Sequence, residues 1–375
     1  MLNRIIQPLP DVPYDAAAVR TVDLEQGLYT QGFLLTIQGE YAIAAGGGVA
    51  TAARTEGAIR LLDQFTIKWD NFNLFDNLNG LDLAALARVY GNHVIRTPLD
   101  IGVAGQGNFA ASYFIPVARS WNDKPPASEF DLAWPAFKVT SQLRAYVKWS
   151  SRVVTAGDDP GTGALFIGGD RAITWVQEPT LTIVQVCALR GGKPWYIPVY
   201  STQDSQDFSA AQSQLTYQLV DQRAFDSVIL QARGATATEP DAWQDLITTL
   251  ALRGSSVSFY NDVKARDQFA IQRLAEHRHD VQGLFDGTFV NASNAFNTGG
   301  NIVYGVGTAA FPEFLPLWLN IADGGLGNKF NPREISTPKF QFAVTAPATP
   351  PARVHMIFSQ LLSHPLYTKM QDAPA

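Results

Sequence analysis

Apolar and polar residues alternate strictly along Phe65-Thr66-Ile67-Lys68-Trp69-Asp70, which predicts a strand with one buried face. The same period runs through Leu143-Arg144-Ala145-Tyr146-Val147-Lys148-Trp149 when Tyr146 is counted as polar. Gln31 to Ala44 is strand-like around Phe33-Leu34-Leu35-Thr36-Ile37, until Gly46-Gly47-Gly48 interrupts it. Phe109 to Arg119 reads as a further strand, and the apolar run Leu181 to Leu189 as one buried on both faces. The period changes after Asn79. Leu83, Leu86, Ala87 and Tyr90 fall at i, i+3, i+4 and i+7, Asp82 supports the first turn and Gly91 is placed to close it, so a helix is expected.

The second half repeats this order. Asp226 to Ala232 is a strand, and Thr238-Glu239-Pro240 opens an expected helix whose Trp243, Leu246, Ile247 and Leu250 share a face, ending at Arg253 and Gly254. Val257 to Tyr260 is a short strand, and Asn261 begins a second expected helix carrying Ile271, Leu274 and Ala275. Strands resume at Ile302-Val303-Tyr304, Phe314 to Leu319, Phe340 to Val344 and Ala352 to Phe358. Ile115-Pro116-Val117 matches Leu315-Pro316-Leu317, and the helix near Leu83 matches the one near Ile271. Two copies of one sandwich, joined in tandem, explain the repetition. The fold class is therefore all-β with short helical inserts, in two tandem eight-stranded antiparallel jelly rolls. The division expected is an extended, proline-bearing N-terminal arm over 1–20, a first jelly roll over 21–190, a Gly-, Gln-, Ser- and Asp-rich linker over 191–214, a second jelly roll over 215–362 and a tail over 363–375.

Composition narrows the functional classes. The 375 residues are 46% hydrophobic but only 17% charged, against roughly 25% in ordinary soluble domains. Few charges together with eight Trp and 22 Phe suit a chain with large buried or interface area, hence an oligomer. Lys plus Arg number 28 against 34 Asp plus Glu, a net charge of −6, which argues against a nucleic-acid-coating role. One cysteine, Cys187, excludes an intrachain disulfide framework and suits a reducing compartment. No signal-peptide-like apolar stretch follows Met1, so synthesis in the cytosol is expected.

Candidate chemistry is sparse. His277-Arg278-His279-Asp280 holds metal-ligating residue types, but i and i+2 at a helix end diverge, and solvated histidines near a helix C-terminus are the better reading. Asp158-Asp159 lacks the alternating ligands of a calcium loop and reads as a surface turn. Gly102, Gly105 and Gly107 do not make a dinucleotide fingerprint, nor do Gly324, Gly325 and Gly327 before Lys329 make a phosphate loop. Cys187 sits in an apolar strand, as an inert thiol would. Arg190 and Lys193 are a basic spot of two charges, and Asn291-Ala292-Ser293 is a chance sequon. Trp69, Trp149, Trp318 and Phe342 lie at strand spacing and are expected in cores. No catalytic, cofactor-binding or metal residue is assigned.

The early strand Gly32-Phe33-Leu34-Leu35, the helix after the strand ending at Trp69, and Ser112-Tyr113-Phe114-Ile115-Pro116-Val117 carry a resemblance. The last is similar to the aromatic-Val/Ile-Pro strand of tectivirus-type proteins. Over nearly its whole length the chain resembles double jelly-roll major capsid proteins of tailless, membrane-containing icosahedral bacteriophages of the tectivirus and corticovirus type. The resemblance implies a non-enzymatic subunit of a virion capsid, three of which form a pseudo-hexagonal homotrimeric capsomer. Its implied partners are neighbouring capsomers, penton and minor capsid proteins, and an internal viral membrane beneath the N-terminal arm. This arm is proline-rich where the tectivirus type has a helix. Two other classes compete: a glycan-acting hydrolase on paired jelly rolls, with carboxylates gathered across the fold, and a trimeric phage receptor-binding or carbohydrate-binding protein.

Overall fold

The computed structural model describes residues 4–43, 52–53, 57–91, 94–96, 105–117, 133–150, 165–167, 173–189, 197–219, 223–234, 246–255, 258–265, 267, 315–318, 330–347 and 350–362. The first half contributes β1 (Arg4–Pro8), β2 (Val12–Pro13), β3 (Val19–Asp23), β4 (Tyr29–Ile43), β5 (Ala52–Ala53), β6 (Leu62–Trp69), β7 (Phe72–Leu78), helix α1 (Gly80–Leu86), β8 (Val94–Arg96), β9 (Gly105–Pro116), β10 (Trp134–Pro135), β11 (Leu143–Trp149), β12 (Phe166–Ile167) and β13 (Ile173–Ala188). The second contributes β14 (Ile197–Asp204), β15 (Gln212–Gln218), β16 (Phe225–Gly234), β17 (Ile247–Arg253), β18 (Ser258–Lys264), β19 (Leu315–Trp318), β20 (Lys339–Val344) and β21 (Ala352–Leu362).

Each half is a two-sheet sandwich of the same design. One sheet of the first half runs β1-β13-β4-β9, extended by β8, and the opposing one runs β7-β6-β11-β3. In the second half the sheets run β14-β21-β16-β19 and β18-β17-β20-β15. Numbered one to eight within each half, leaving out the short β2, β5, β8, β10 and β12, both read 1-8-3-6 packed against 5-4-7-2. The halves join edge to edge. β7 and β14 pair in parallel at Phe75 with Tyr200 and Asp76 with Ser201, so two of the sheets merge into one of eight strands among the described residues.

The alternation read from sequence is the burial seen in the fold. Leu143, Ala145, Val147 and Trp149 of β11 are buried and the residues between them are not, because side chains point to opposite faces at period 2. Trp69 and Trp149 are fully buried, as is Phe342 of β20, while Trp318 lies in β19. Helix α1 forms as expected, with Asn79 as its cap: the Asn79 side chain accepts from the Asp82 N–H at 3.1 Å and the Asp82 carboxylate accepts from the Asn79 N–H at 2.9 Å. A π-helical turn, Ala87–Gly91, continues it to the expected glycine.

Four expectations meet a different structure. The helix expected to end at Arg253 and Gly254 is, over Ile247–Arg253, strand β17, paired with β18 on one side and β20 on the other; residues 235–245 lie outside the described set. Leu246 is helical, and beyond it tertiary pairing overrides the helical spacing, so that Leu250 and Leu252 reach the core two residues apart. The helix expected from Asn261 starts later, since Asn261 lies within β18 while Ala265 and Asp267 are helical; residues 268–275 fall outside the described set. The arm expected over 1–20 contains β1 and β2, both paired with β13, and the linker expected over 191–214 contains β14 and the start of β15. β1 and β15 lie at sheet edges, where prolines and polar residues are tolerated, and β14 joins the two rolls, so composition reads these positions as loop.

Candidate functional site: the junction between the halves

The junction is built on one face of β14, β21 and β16. Ser227, Ile229 and Arg233 of β16, with His355 and Ile357 of β21, point towards the first half. Val228, Leu230, Met356 and Phe358 point into the second half's own core. Both faces of these strands are therefore buried, unusual for an antiparallel sheet with a wet side. Ile229, Ile357, Val199 and Tyr200 belong to the same apolar cluster as the first half's Phe33 and Leu83. Tyr200 packs edge-on to Phe75 at 5.3 Å between ring centroids, Phe75 to Trp134 at 5.5 Å, and the Tyr200 hydroxyl donates to the Pro116 carbonyl at 3.0 Å. The Trp134 indole N–H donates to the Pro198 carbonyl at 3.1 Å, and the Tyr90 and Ser227 hydroxyls meet at 2.7 Å.

A chain of charges closes one end. Asp82, 1% exposed on α1, accepts from Arg233 Nη2 at 2.7 Å and faces His355 Nε2 at 2.8 Å. His355 Nδ1 faces Asp204 at 2.5 Å, and Arg353 bridges Asp204 and Asp207 at 3.1 Å each. Burial pushes the Asp82 carboxyl up, but Arg233, His355 and the Asn79 N–H together outweigh it and hold it well below the usual carboxylate range. Asp204 is likewise lowered against its own burial, by His355 and Arg353. Each ring nitrogen of His355 thus faces a carboxylate oxygen, and no group of three or more His, Cys, Asp and Glu placed to hold a metal occurs among the described residues.

Sequence reading noted Asp82 only as a helix-start residue and did not single out Arg233, His355 or Asp204. Their one signal is a His and an Arg interrupting the apolar run 352–358. Of the residues weighed for chemistry, His277, His279, Asp280, Asp158, Asp159, Arg190, Lys193, Asn291, Gly102, Gly324, Gly325, Gly327 and Lys329 lie outside the described set, while Gly105 and Gly107 lie in β9. Cys187 is buried in β13, where burial and the charge of Glu25 push its thiol up to about 12, a poor nucleophile.

No known family model matches the sequence, and no curated protein sequence does. Solved structures do match. The STIV MCP aligns over 99% of this chain and 99% of its own, with a TM-score of 0.63 at 9% identity. The major capsid protein P2 of bacteriophage PM2 aligns over 96% of this chain and 98% of its own, with a TM-score of 0.56 at 9% identity. The chain is a double jelly roll. The faustovirus major capsid protein shares the fold at a TM-score of 0.55 and 9% identity, covering 96% of this chain and 90% of its own. Within this double jelly roll the junction is where one roll is held on the other, and the Asp82 and His355 side chains, 1% and 8% exposed, lie inside it.

Proposed function

We propose that the chain is the major capsid protein of an icosahedral virion, a structural subunit rather than an enzyme. The observation that carries this reading is the end-to-end match of both rolls and their connection to the STIV MCP, over 99% of each chain. Low charge and abundant aromatics fit a subunit enclosed by neighbours. In this reading three copies form a pseudo-hexagonal capsomer, capsomers tile the shell beside penton and minor capsid proteins, and the chain is made in a bacterial host's cytoplasm. Residues 1–20 lie on the inner side, near an internal membrane. The test is the solution mass of the purified protein by light scattering, with negative-stain imaging of the same fraction. A particle of three chains with a hexagonal outline is expected; a monomer at every concentration overturns the reading.

A further inference from the structure

The chain of charges at the junction poses a hydrogen-bonding problem. His355 lies on the middle one of three strands, opposite Asp204 of β14 on one side and Gln231 of β16 on the other, and Asp82 of α1 reaches it from the first roll. Asp204 Oδ1 is 2.5 Å from Nδ1 and Asp82 Oδ1 is 2.8 Å from Nε2. Both are hydrogen-bond distances. An ionised carboxylate only accepts, and an imidazole with a single proton donates from one nitrogen alone. Neither carboxylate readily brings a proton of its own, since neighbouring donors hold both below the usual range. The two contacts together need a proton on each ring nitrogen.

The contacts are not equally fixed. Asp82 is 1% exposed and is tied by the Asn79 N–H at 2.9 Å and by Arg233 Nη2 at 2.7 Å as well as by the ring. It cannot turn to water. Asp204 ends β14 with its side chain 39% exposed, and its Oδ2 already accepts from Arg353 Nη1 at 3.1 Å. Arg353, two residues from His355 on β21, also reaches Asp207 in the turn after β14. Arg233 is occupied by Asp82 and by Gln231 Oε1 at 2.6 Å. Asp82, Asp204, Asp207, Arg233 and Arg353 are thus the charged groups gathered around the ring among the described residues, and the Tyr90 hydroxyl lies further along the same face, on Ser227.

We propose that His355 is a proton-operated clamp at the junction. With a proton on each ring nitrogen it ties Asp82 of the first roll to Asp204 of the second. When the Nδ1 proton leaves to water past the exposed Asp204, the Nε2–H stays on Asp82, and Nδ1 turns a lone pair towards a carboxylate oxygen. The two part. Asp204 swings out with Arg353, and the turn 205–208 loses its side-chain link to the first roll. Its backbone bonds remain, from the Ser205 N–H to the Val354 carbonyl and between Phe208 and Ala352, so the turn loosens while the roll stays folded. The clamp opens as pH rises through the range in which histidine changes charge, roughly pH 5 to 8. Carboxylate contacts with a lowered folded-state value respond in the opposite sense and are lost as pH falls.

Amide hydrogen exchange of the full-length protein at about pH 5.5 and about pH 9, corrected for the intrinsic chemical rate, tests the clamp on either side of that range. In the wild type, protection over 205–208 is expected to be about tenfold lower at the higher pH, the fold-change for loss of one hydrogen bond to a charged group. Asp204→Asn discriminates. Its side-chain amide N–H can donate to a ring nitrogen that has lost its proton, so the contact outlives the proton and protection should be the same at both pH values. The position is part-exposed, and a circular dichroism spectrum matching the wild type checks that the variant folds. His355→Gln, which carries no titrating ring, should also give equal protection at both. Equal protection in the wild type overturns the proposal, as does a wild-type-sized fall in either variant. A turn that loosens on acidification instead also overturns it, because the response would then belong to the carboxylates.

Discussion

Asp82 does two jobs with one carboxylate: Oδ2 caps its own helix, and Oδ1 takes Arg233 and His355 from the other roll. An Asp82→Asn variant keeps a hydrogen-bonding cap but leaves the largely buried Arg233 guanidinium without its counter-charge, so a loss of about 3–5 kcal/mol is expected in denaturant unfolding. The sign of the pH dependence follows from the lowered carboxyl. Its contribution is complete above the unfolded-state value, about 3.9 for Asp, and is lost only as pH falls through the lower folded-state value. The gap in stability between wild type and Asp82→Asn should therefore persist at mildly acidic pH and close only on strong acidification; a gap that closes between neutrality and pH 5 would contradict the assignment. None of this was legible in the sequence. Asp82 and His355 stand 273 residues apart, and only the tertiary fold brings them together.

At the scale of elements, local chemistry was legible where it is local. Asn79, Asp82 and the apolar spacing behind them specify α1, and strict alternation specifies β6 and β11. The helix expected to run to Gly254 ends at Leu246, because strand pairing with β18 and β20 decides the segment after it, and no window of sequence contains those partners. Close backbone approach was equally hidden. A Cβ on Gly80 would lie 1.8 Å from the Ile59 carbonyl oxygen and 2.5 Å from its carbon, atoms that cannot rotate away. Gly80→Ala should force α1 off the turn Ile59–Leu61 and cost at least roughly 1–3 kcal/mol, read as a lowered melting temperature. Gly27→Ala, whose Cβ meets only the Glu25 carboxylate at 3.0 Å, is the matched control and should stay within about 0.5 kcal/mol of wild type.

For the whole molecule, the repeat was the most legible feature. Ile115-Pro116-Val117 and Leu315-Pro316-Leu317 fall at the sixth strand of each roll, β9 and β19, so two short strings at matching places in the chain identified equivalent positions in space. What the repeat could not convey is that the rolls share a sheet, since two residue pairs between β7 and β14 leave no pattern. The place of β1 has a further consequence, for the order of events during synthesis. The first strand of the chain pairs with the last strand of its roll, Arg4 opposite Ala188, so the opening residues wait for most of the first half to leave the ribosome before they find a partner. Contacts of such sequence separation form late. On stalled ribosomes, protease protection of the first roll should appear only once Ala188 has emerged, and the second roll should then build outward from a surface already in place. Protection while β13 is still in the tunnel would show that the roll closes by another route. A protein that ties its beginning to its middle keeps its first strand waiting until a chain is half made, so the roll closes only when its last strand arrives.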